Sequence, residues 1–172
     1  MTRPARVLVT AASRYGSTTE IAETIAHSLT EEGLEVETAA PDAAGELESY
    51  DAVVVGSAVY YGRWLKLATE LVRSNRDTLA SKSVWLFSSG PTGAPGHELP
   101  KEHPVDIGDL VEVAGAREHH VFSGRLDTKQ LRFRDRTVAC ALHAAAGDAR
   151  DWDEVRAFAH RIADDVKGSD GS

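Results

Sequence analysis

Residues 7–29 read VLVTAASRYGSTTEIAETIAHSL, and the reading of this stretch decides the fold. Arg6 to Thr10 is a short, fully apolar run, the kind buried on both faces of a parallel sheet. It stops at a loop of hydroxyls, Ser13, Ser17 and Thr18, around Gly16. A periodic segment follows at once. Ile21, Ile25 and Leu29 recur every fourth residue with Ala22 and Ala26 beside them, and Gly33 closes the pattern, which predicts a helix with one apolar face. A buried strand, a polar turn and a helix are the first unit of an alternating α/β chain.

The same unit repeats downstream. LEVETA, residues 34–39, alternates Leu34, Val36 and Thr38 on one face and predicts a half-exposed edge strand. DAVVVGS, residues 51–57, is a second apolar strand expected to end at Gly56, and Leu65, Ala68, Leu71 and Val72 give helical spacing after it. SVWLFSSG, residues 83–90, is a third buried strand ending in small polar residues. VDIGDLVEVAGA, residues 105–116, predicts a helix, and EHHVFSG, residues 118–124, a last strand. Val155, Phe158, Ala159, Ile162, Ala163 and Val166 follow 3-4-3-4 steps, with Asp151 and Glu154 at the cap and N3 positions of the clearest helix in the chain. Strands alternating with helices imply a doubly wound five-stranded parallel sheet with helices on both faces. An edge-like second strand between buried ones favours the order 2-1-3-4-5. One domain over residues 1–167 and a short tail at 168–172 are expected.

Composition sets the bounds. A chain of 172 residues with 42% hydrophobic and 27% charged residues can bury a real core. Its net charge of -8 disfavours nonspecific contact with nucleic acid or anionic lipid. With Cys140 as the single cysteine there is no internal disulfide and no cysteine-based metal cluster. MTRPARVLVT passes directly into a strand and no apolar run approaches a bilayer-spanning length, so a cytoplasmic location is expected.

In such a sheet ligands bind beyond the carboxyl ends of the strands, which points to the loops SRYGST, SAVYYGRW and SSGPTG. The first supports two readings. Ser17-Thr18-Thr19-Glu20 matches the S-x-x-E capping box. Alternatively, amides from Arg14 to Thr18 and the hydroxyls of Ser13, Ser17 and Thr18 converge on a phosphate at the helix's positive end, with Gly16 letting the backbone approach it. The loop lacks G-x-x-x-x-G-K-[ST] and G-x-G-x-x-G, which argues against a Walker-type nucleoside triphosphatase and a dinucleotide fingerprint. It also lacks the acidic residues of a phospho-accepting receiver domain, since the relevant positions read TAAS and GSAV. Tyr60, Tyr61 and Trp64 in the second loop either stack on a planar ligand or pack the loop. The third loop offers amides to a ligand edge. A phosphate cradle, an aromatic loop and an amide-rich loop on one rim suit a mononucleotide with a flat ring, and flavin mononucleotide (FMN) fits best.

ASRYGSTTEIA, DAVVVGSAVYYGRW, FSSGPTG, VFSGRLD and GDARDWDEV…FAHRIA resemble the flavodoxin-domain family, and within it the branch of menaquinone-dependent protoporphyrinogen IX dehydrogenases. The likeness runs from Arg6 to Val166. It implies noncovalent FMN, with Ser13, Arg14, Tyr15, Gly16, Ser17 and Thr18 as the phosphate loop. Ala58, Val59, Tyr60, Tyr61 and Gly62, together with Ser88, Ser89, Gly90, Pro91, Thr92 and Gly93, would flank the isoalloxazine ring. It further implies an oxidoreductase passing reducing equivalents from a small organic donor, such as a protoporphyrinogen, to a quinone. The alternative is a noncatalytic electron carrier that docks on redox partner proteins. After the fifth strand the chain departs from the protoporphyrinogen-oxidising members, which carry a longer, more aromatic and basic insertion.

That region has chemistry of its own. Between Arg125 and Arg136 five cations (Arg125, Lys129, Arg132, Arg134, Arg136) stand against Asp127 and Asp135, a local +3 in an acidic chain. It reads as a solvated helix face, or as a surface that meets a carboxylated substrate, an acidic partner or, as a peripheral membrane contact, lipid headgroups near a quinone. His27, His97, His103, His119, His120, His143 and His160 show no metal-ligand spacing, and Cys140 reads as a small core residue. The sequence names no catalytic acid or base and no metal ligand.

Overall fold

The computed structural model describes residues 3–90, 104–126, 147–148 and 150–169. Five parallel strands form its centre: β1 (Arg6–Ala12), β2 (Glu35–Ala39), β3 (Ala52–Tyr60), β5 (Ser83–Ser89) and β6 (Glu118–Phe122). They lie side by side as β2-β1-β3-β5-β6. A two-residue strand, β4 (Arg63–Trp64), adds antiparallel to the end of β3. Without β4, this is the expected order 2-1-3-4-5.

Each face of the sheet is covered by helices. On one side α1 (Ser17–Glu31) and α5 (Trp152–Ser169) pack Ile21, Ile25, Leu29, Val155, Phe158 and Ile162 onto Val7, Val9, Val54, Trp85 and Phe87. On the other, α2 (Lys66–Ser74), the single turn α3 (Arg76–Leu79) and α4 (Ile107–Ala114) cover Leu8, Val53, Val55, Val84 and Leu86. Neighbouring residues of one strand go to opposite cores, which is why the central strands read as unbroken apolar runs. Among the described residues β2 pairs only with β1, and it leaves Glu35, Glu37 and Thr38 exposed, as an edge strand should.

The helix ends follow local chemistry. Gly33 has φ 89°, its amide donates to Thr30 O, and the Leu34 amide donates to Leu29 O, a double closure that also brings apolar Leu34 under Leu29. At α5, Asp151 Oδ1 accepts the amides of Asp153 and Glu154 at 3.0 and 3.1 Å, the expected cap. Beyond β6 a ribbon that the sequence pattern does not reveal pairs β7 (Arg125–Leu126) with β8 (Gly147–Asp148).

One expectation needs correction. β3 does not end at Gly56 but continues to Tyr60. Gly56 stands directly opposite Phe87, and a Cβ on it would lie 2.0 Å from Cζ of that ring. The glycine is a slot for an aromatic side chain, not a strand terminator.

At the opposite end of the sheet Asp51 ties three strands. Its carboxylate accepts from the Arg6 amide at 2.8 Å and from Nη1 and Nη2 of Arg3 at 2.8 and 3.1 Å, and its backbone reaches Arg6 O and the Ser83 amide. The hydrogen-bonded Arg3 guanidinium holds its carboxyl below the usual range, against the opposing effect of burial, and the Arg6 amide helps. A depressed folded value means stability that is full above the unfolded carboxyl's range and lost as pH falls through the folded one. Asp51→Asn is therefore expected to cost about 1 kcal/mol near neutral pH, toward the lower end because water screens the pair. In urea titrations the gap from wild type should close as pH falls through the folded carboxyl's lowered range, and a gap independent of pH would contradict this account.

Candidate functional site

The register of the sheet brings the carboxyl ends of β1, β3 and β5 to one rim. Ala12 pairs with Ser57, Ser57 with Ser88, and Ser88 with Val121. The three loops singled out from the sequence leave from this row.

The first loop, residues 13–16, runs from β1 into α1. Gly16 is the N-cap, with φ 86° and ψ -10°, and its carbonyl accepts the first helical bond from Glu20 N at 3.0 Å. Ser17 therefore sits inside the helix at its first position. The capping-box alternative fails here, because the residue at the cap has no side chain to cap with. Ser13 Oγ accepts the Gly16 amide at 3.0 Å and tightens the turn from the strand side. Ser17 and Thr18 are buried, the amides of Thr18 and Thr19 precede the first helical hydrogen bond, and a Cβ built on Gly16 meets nothing within 4 Å. At Gly16 the turn is thus bare backbone in front of a fifteen-residue helix, with open space where a side chain would stand. This is the shape that admits a phosphate oxygen close to main-chain nitrogen.

The second loop is a tight hairpin instead of an open aromatic segment. Tyr60 pairs with Arg63 and Val59 with Trp64, and the two residues between, Tyr61 and Gly62, have φ of 52° and 73°. Positive φ at both central positions is the turn whose twist matches the flanking strands. Tyr61 is the one non-glycine with positive φ among the described residues, and it is 62% exposed. Such a conformation costs of order 1 kcal/mol or more and is held here by the strand pairing on both sides. Tyr60 faces the first loop: the Arg14 guanidinium lies over its ring at 4.7 Å and Tyr15 meets it edge-on at 6.5 Å. Beside the hairpin, Val105 donates its amide to Gly62 O at 2.9 Å and is 76% exposed.

Trp64 belongs to the core. It is buried, and its Nε1 donates to Ser88 Oγ at 2.7 Å. Ser88 Oγ lies 2.7 Å from His119 Nε2. Indole N–H can only donate, so Ser88 accepts from it; toward His119 the hydroxyl donates when the ring proton is on Nδ1 and accepts when it is on Nε2. The Ser88 hydroxyl is thus committed to a buried chain joining the hairpin to β5 and β6. Ser57 is committed as well, accepting the Leu65 amide at 2.9 Å and donating to Ala58 O at 2.8 Å, which fixes the start of α2. Of the third loop, the buried Ser89 and the half-buried Gly90 complete the rim, the Gly90 amide donating to Phe122 O at 3.0 Å. Ala58 is buried and Val59 half-buried where β3 leaves the sheet. Pro91, Thr92 and Gly93 lie outside the described residues, as do Cys140, His97, His103, His143 and positions 127–136 of the basic stretch.

The rim's charge differs from that of the chain. Positions 13–18, 57–64 and 88–90 hold Arg14 and Arg63 and no carboxylate, in a protein with 27 acidic residues. A further cation escaped the sequence reading. The Arg150 side chain is 4% exposed and ion-pairs with Glu20 in the first turn of α1. Its neighbours Asp148, Asp151 and Asp153 suggest an exposed polar connection, and nothing in their spacing points to burial.

The other histidines are occupied elsewhere. His120 meets Glu154 at 2.9 Å between the Phe122 and Phe158 rings, His160 meets Glu32 at 2.9 Å, and His27 meets Glu31 at 3.5 Å. No group of three or more His, Cys, Asp or Glu suited to a metal ion occurs among the described residues. Nor, among them, is any helix long and apolar enough to cross a membrane.

Comparison with known proteins places this geometry. The model of the flavodoxin domain matches residues 8–153. Protoporphyrinogen IX dehydrogenase (quinone) of Escherichia coli K12 is 26% identical over 171 residues, spanning 92% of this chain and 94% of that protein. Among solved structures, a flavodoxin from the domain Archaea superposes with TM-score 0.60 at 20% identity, over 94% of this chain and 99% of that one. Rubredoxin oxygen:oxidoreductase from Desulfovibrio gigas superposes with TM-score 0.66 at 16% identity, over 99% of this chain and 38% of that larger one. The two solved structures share the fold.

Proposed function

The chain belongs to the flavodoxin-domain family, and from that premise we propose that it holds FMN and passes reducing equivalents from an organic donor to a quinone. Ser13–Thr18 grip the phosphate, Ala58–Gly62 and Ser88–Gly90 form a wall along the ring, and the family likeness assigns Pro91, Thr92 and Gly93 to the same ring contact. The observation that carries the reading is the first loop. A left-handed glycine cap opens the first turn of α1 beside the buried Ser17 and Thr18, at the carboxyl edge of the sheet.

FMN, when bound, supplies a ring that takes up and gives back electron pairs. The protein's own part is to bind and orient. Helix-end amides and hydroxyls bear the phosphate charge without a lysine. The Arg14–Tyr60–Tyr15 stack ties the phosphate loop to the hairpin, so phosphate and ring positions are set as one unit. The exposed Tyr61 and Val105 beside that wall offer an apolar landing for a flat substrate. A quinone acceptor is supported by the Escherichia coli relative, whose name carries that acceptor and whose length this chain matches almost fully. A porphyrinogen-like donor follows from the same likeness.

Titration of the purified chain with FMN, followed by fluorescence quenching, tests the cofactor. Anaerobic reduction followed by mixing with a menaquinone analogue tests the chemistry. Quenching at one equivalent and rapid reoxidation of the reduced chain, with one quinone reduced per flavin, are expected. An unquenched titration removes the cofactor reading. Quenching without quinone reduction, but with electron delivery to a redox protein, replaces the enzyme by a carrier.

A further inference from the structure

Arg150 stands where the chain passes from β8 to α5, two residues before the helix begins. A guanidinium keeps its charge in any protein setting, so burying it demands partners. Nη1 engages the Glu20 carboxylate and lies 3.4 Å from the Ser17 carbonyl oxygen, and the guanidinium carbon sits 4.5 Å from the centre of the Trp152 ring. Trp152 in turn packs against the core beneath α1. Two of these three contacts fall on the first turn of α1, the turn whose amides face the rim.

We infer that Arg150 is the positioning residue of the anion loop, an assignment that rests on Ser13–Thr18 holding the FMN phosphate. Two effects combine. Glu20 is the single acidic side chain of that first turn. Alone it would favour the empty helix end and repel a phosphate placed there; paired with Arg150 it does neither. The contact to Ser17 O also steadies the first peptide planes of the helix, and so the direction of the amides that meet the ligand. Arg150 reaches the phosphate loop through Ser17 and Glu20, which separates its role from that of the residues lining the site. It also explains why this cation is buried beneath a helix end and not left in solvent.

The inference is tested by comparing FMN with riboflavin, which lacks the phosphate, in fluorescence titrations of the full chain. Arg150→Gln is expected to weaken FMN binding by about tenfold or more while riboflavin stays within about twofold. Arg150→Lys keeps the charge but not the planar fork and should fall between. Glu20→Gln retains an acceptor for Arg150 and should bind FMN as tightly as wild type or tighter. The double variant Arg150→Gln/Glu20→Gln should recover part of the loss, because the carboxylate that Arg150 pairs with is gone as well. Melting of the flavin-free chains reports folding, and should Arg150→Gln not fold, Arg150→Lys and Glu20→Gln carry the comparison. Parallel losses of FMN and riboflavin, or an unchanged FMN-to-riboflavin ratio across the variants, would overturn the inference alone. A wild-type chain that binds neither compound overturns the FMN reading, and this inference with it.

Discussion

Replacing Ser17 and Thr18 together by alanine is expected to weaken FMN binding at least about a hundredfold, since each charge-assisted hydrogen bond to a phosphate contributes about 1.5–3 kcal/mol. The geometry makes this a binding effect and not a stability effect. Gly16, not Ser17, is the N-cap, so no capping side chain is removed. Both positions lie within the helix, where alanine has the higher intrinsic propensity. The flavin-free double variant should therefore melt close to wild type, while its titration curve shifts far to higher FMN. Had Ser17 been the cap, the opposite pattern would follow: about 1 kcal/mol of stability lost and flavin affinity nearly intact. Isothermal titration and thermal melting of the same preparations separate the two. An FMN affinity within about threefold of wild type would remove the hydroxyls from the phosphate site, because even one charge-assisted bond is worth about tenfold or more.

The sequence carried the sheet because its signals are local. Val7 to Val9, Val53 to Val55 and Val84 to Phe87 are buried on both faces, and a doubly buried strand can only be written as an apolar run. The exposed edge of β2 shows in Glu35 and Glu37, and the end of α1 in Gly33, for the same reason: each depends on residues nearby in the chain. What escaped depends on distant ones. Gly56 reads as a stop until Phe87, thirty-one positions later, is known to fill its place. The hairpin at Tyr61–Gly62 lacks the usual Asn-Gly or Asp-Gly pair, and its positive-φ tyrosine has no local sequence signature. Ser88 looks like a rim hydroxyl, yet Trp64 and His119, from two other elements, claim it. Arg150 is the strongest case, since the 130 positions that separate it from Glu20 hide the pair completely. The order of the strands from which these loops leave was legible; the contacts that hold the loops in place were not.

Gly56→Ala should be the most disruptive small substitution in the sheet, and it acts through the site as well as the core. A methyl group there would lie 2.0 Å from Phe87 Cζ and 2.4 Å from both Cε atoms, distances no pair of carbons tolerates. The ring cannot simply swing aside. It is fully buried and packed edge-on against Phe122 at 5.8 Å and Phe158 at 6.4 Å, themselves in contact at 5.4 Å. Overpacking of this kind costs about 1–3 kcal/mol and more where no neighbour can yield. At this chain length that is a fall of about 2–12 °C in melting temperature. If β5 shifts to relieve the clash, Ser88, Ser89 and Gly90 move with Phe87, since they follow it directly in the strand. FMN affinity should then fall with stability. Shortening the ring by Phe87→Leu costs packing on its own but opens the space that the alanine methyl needs. The Gly56→Ala/Phe87→Leu double variant should therefore be more stable than the sum of the two single losses predicts. Additive losses in that cycle would mean that the strand accommodates the methyl by a backbone shift away from Phe87, and the explanation of Gly56 as a slot for the ring would fail.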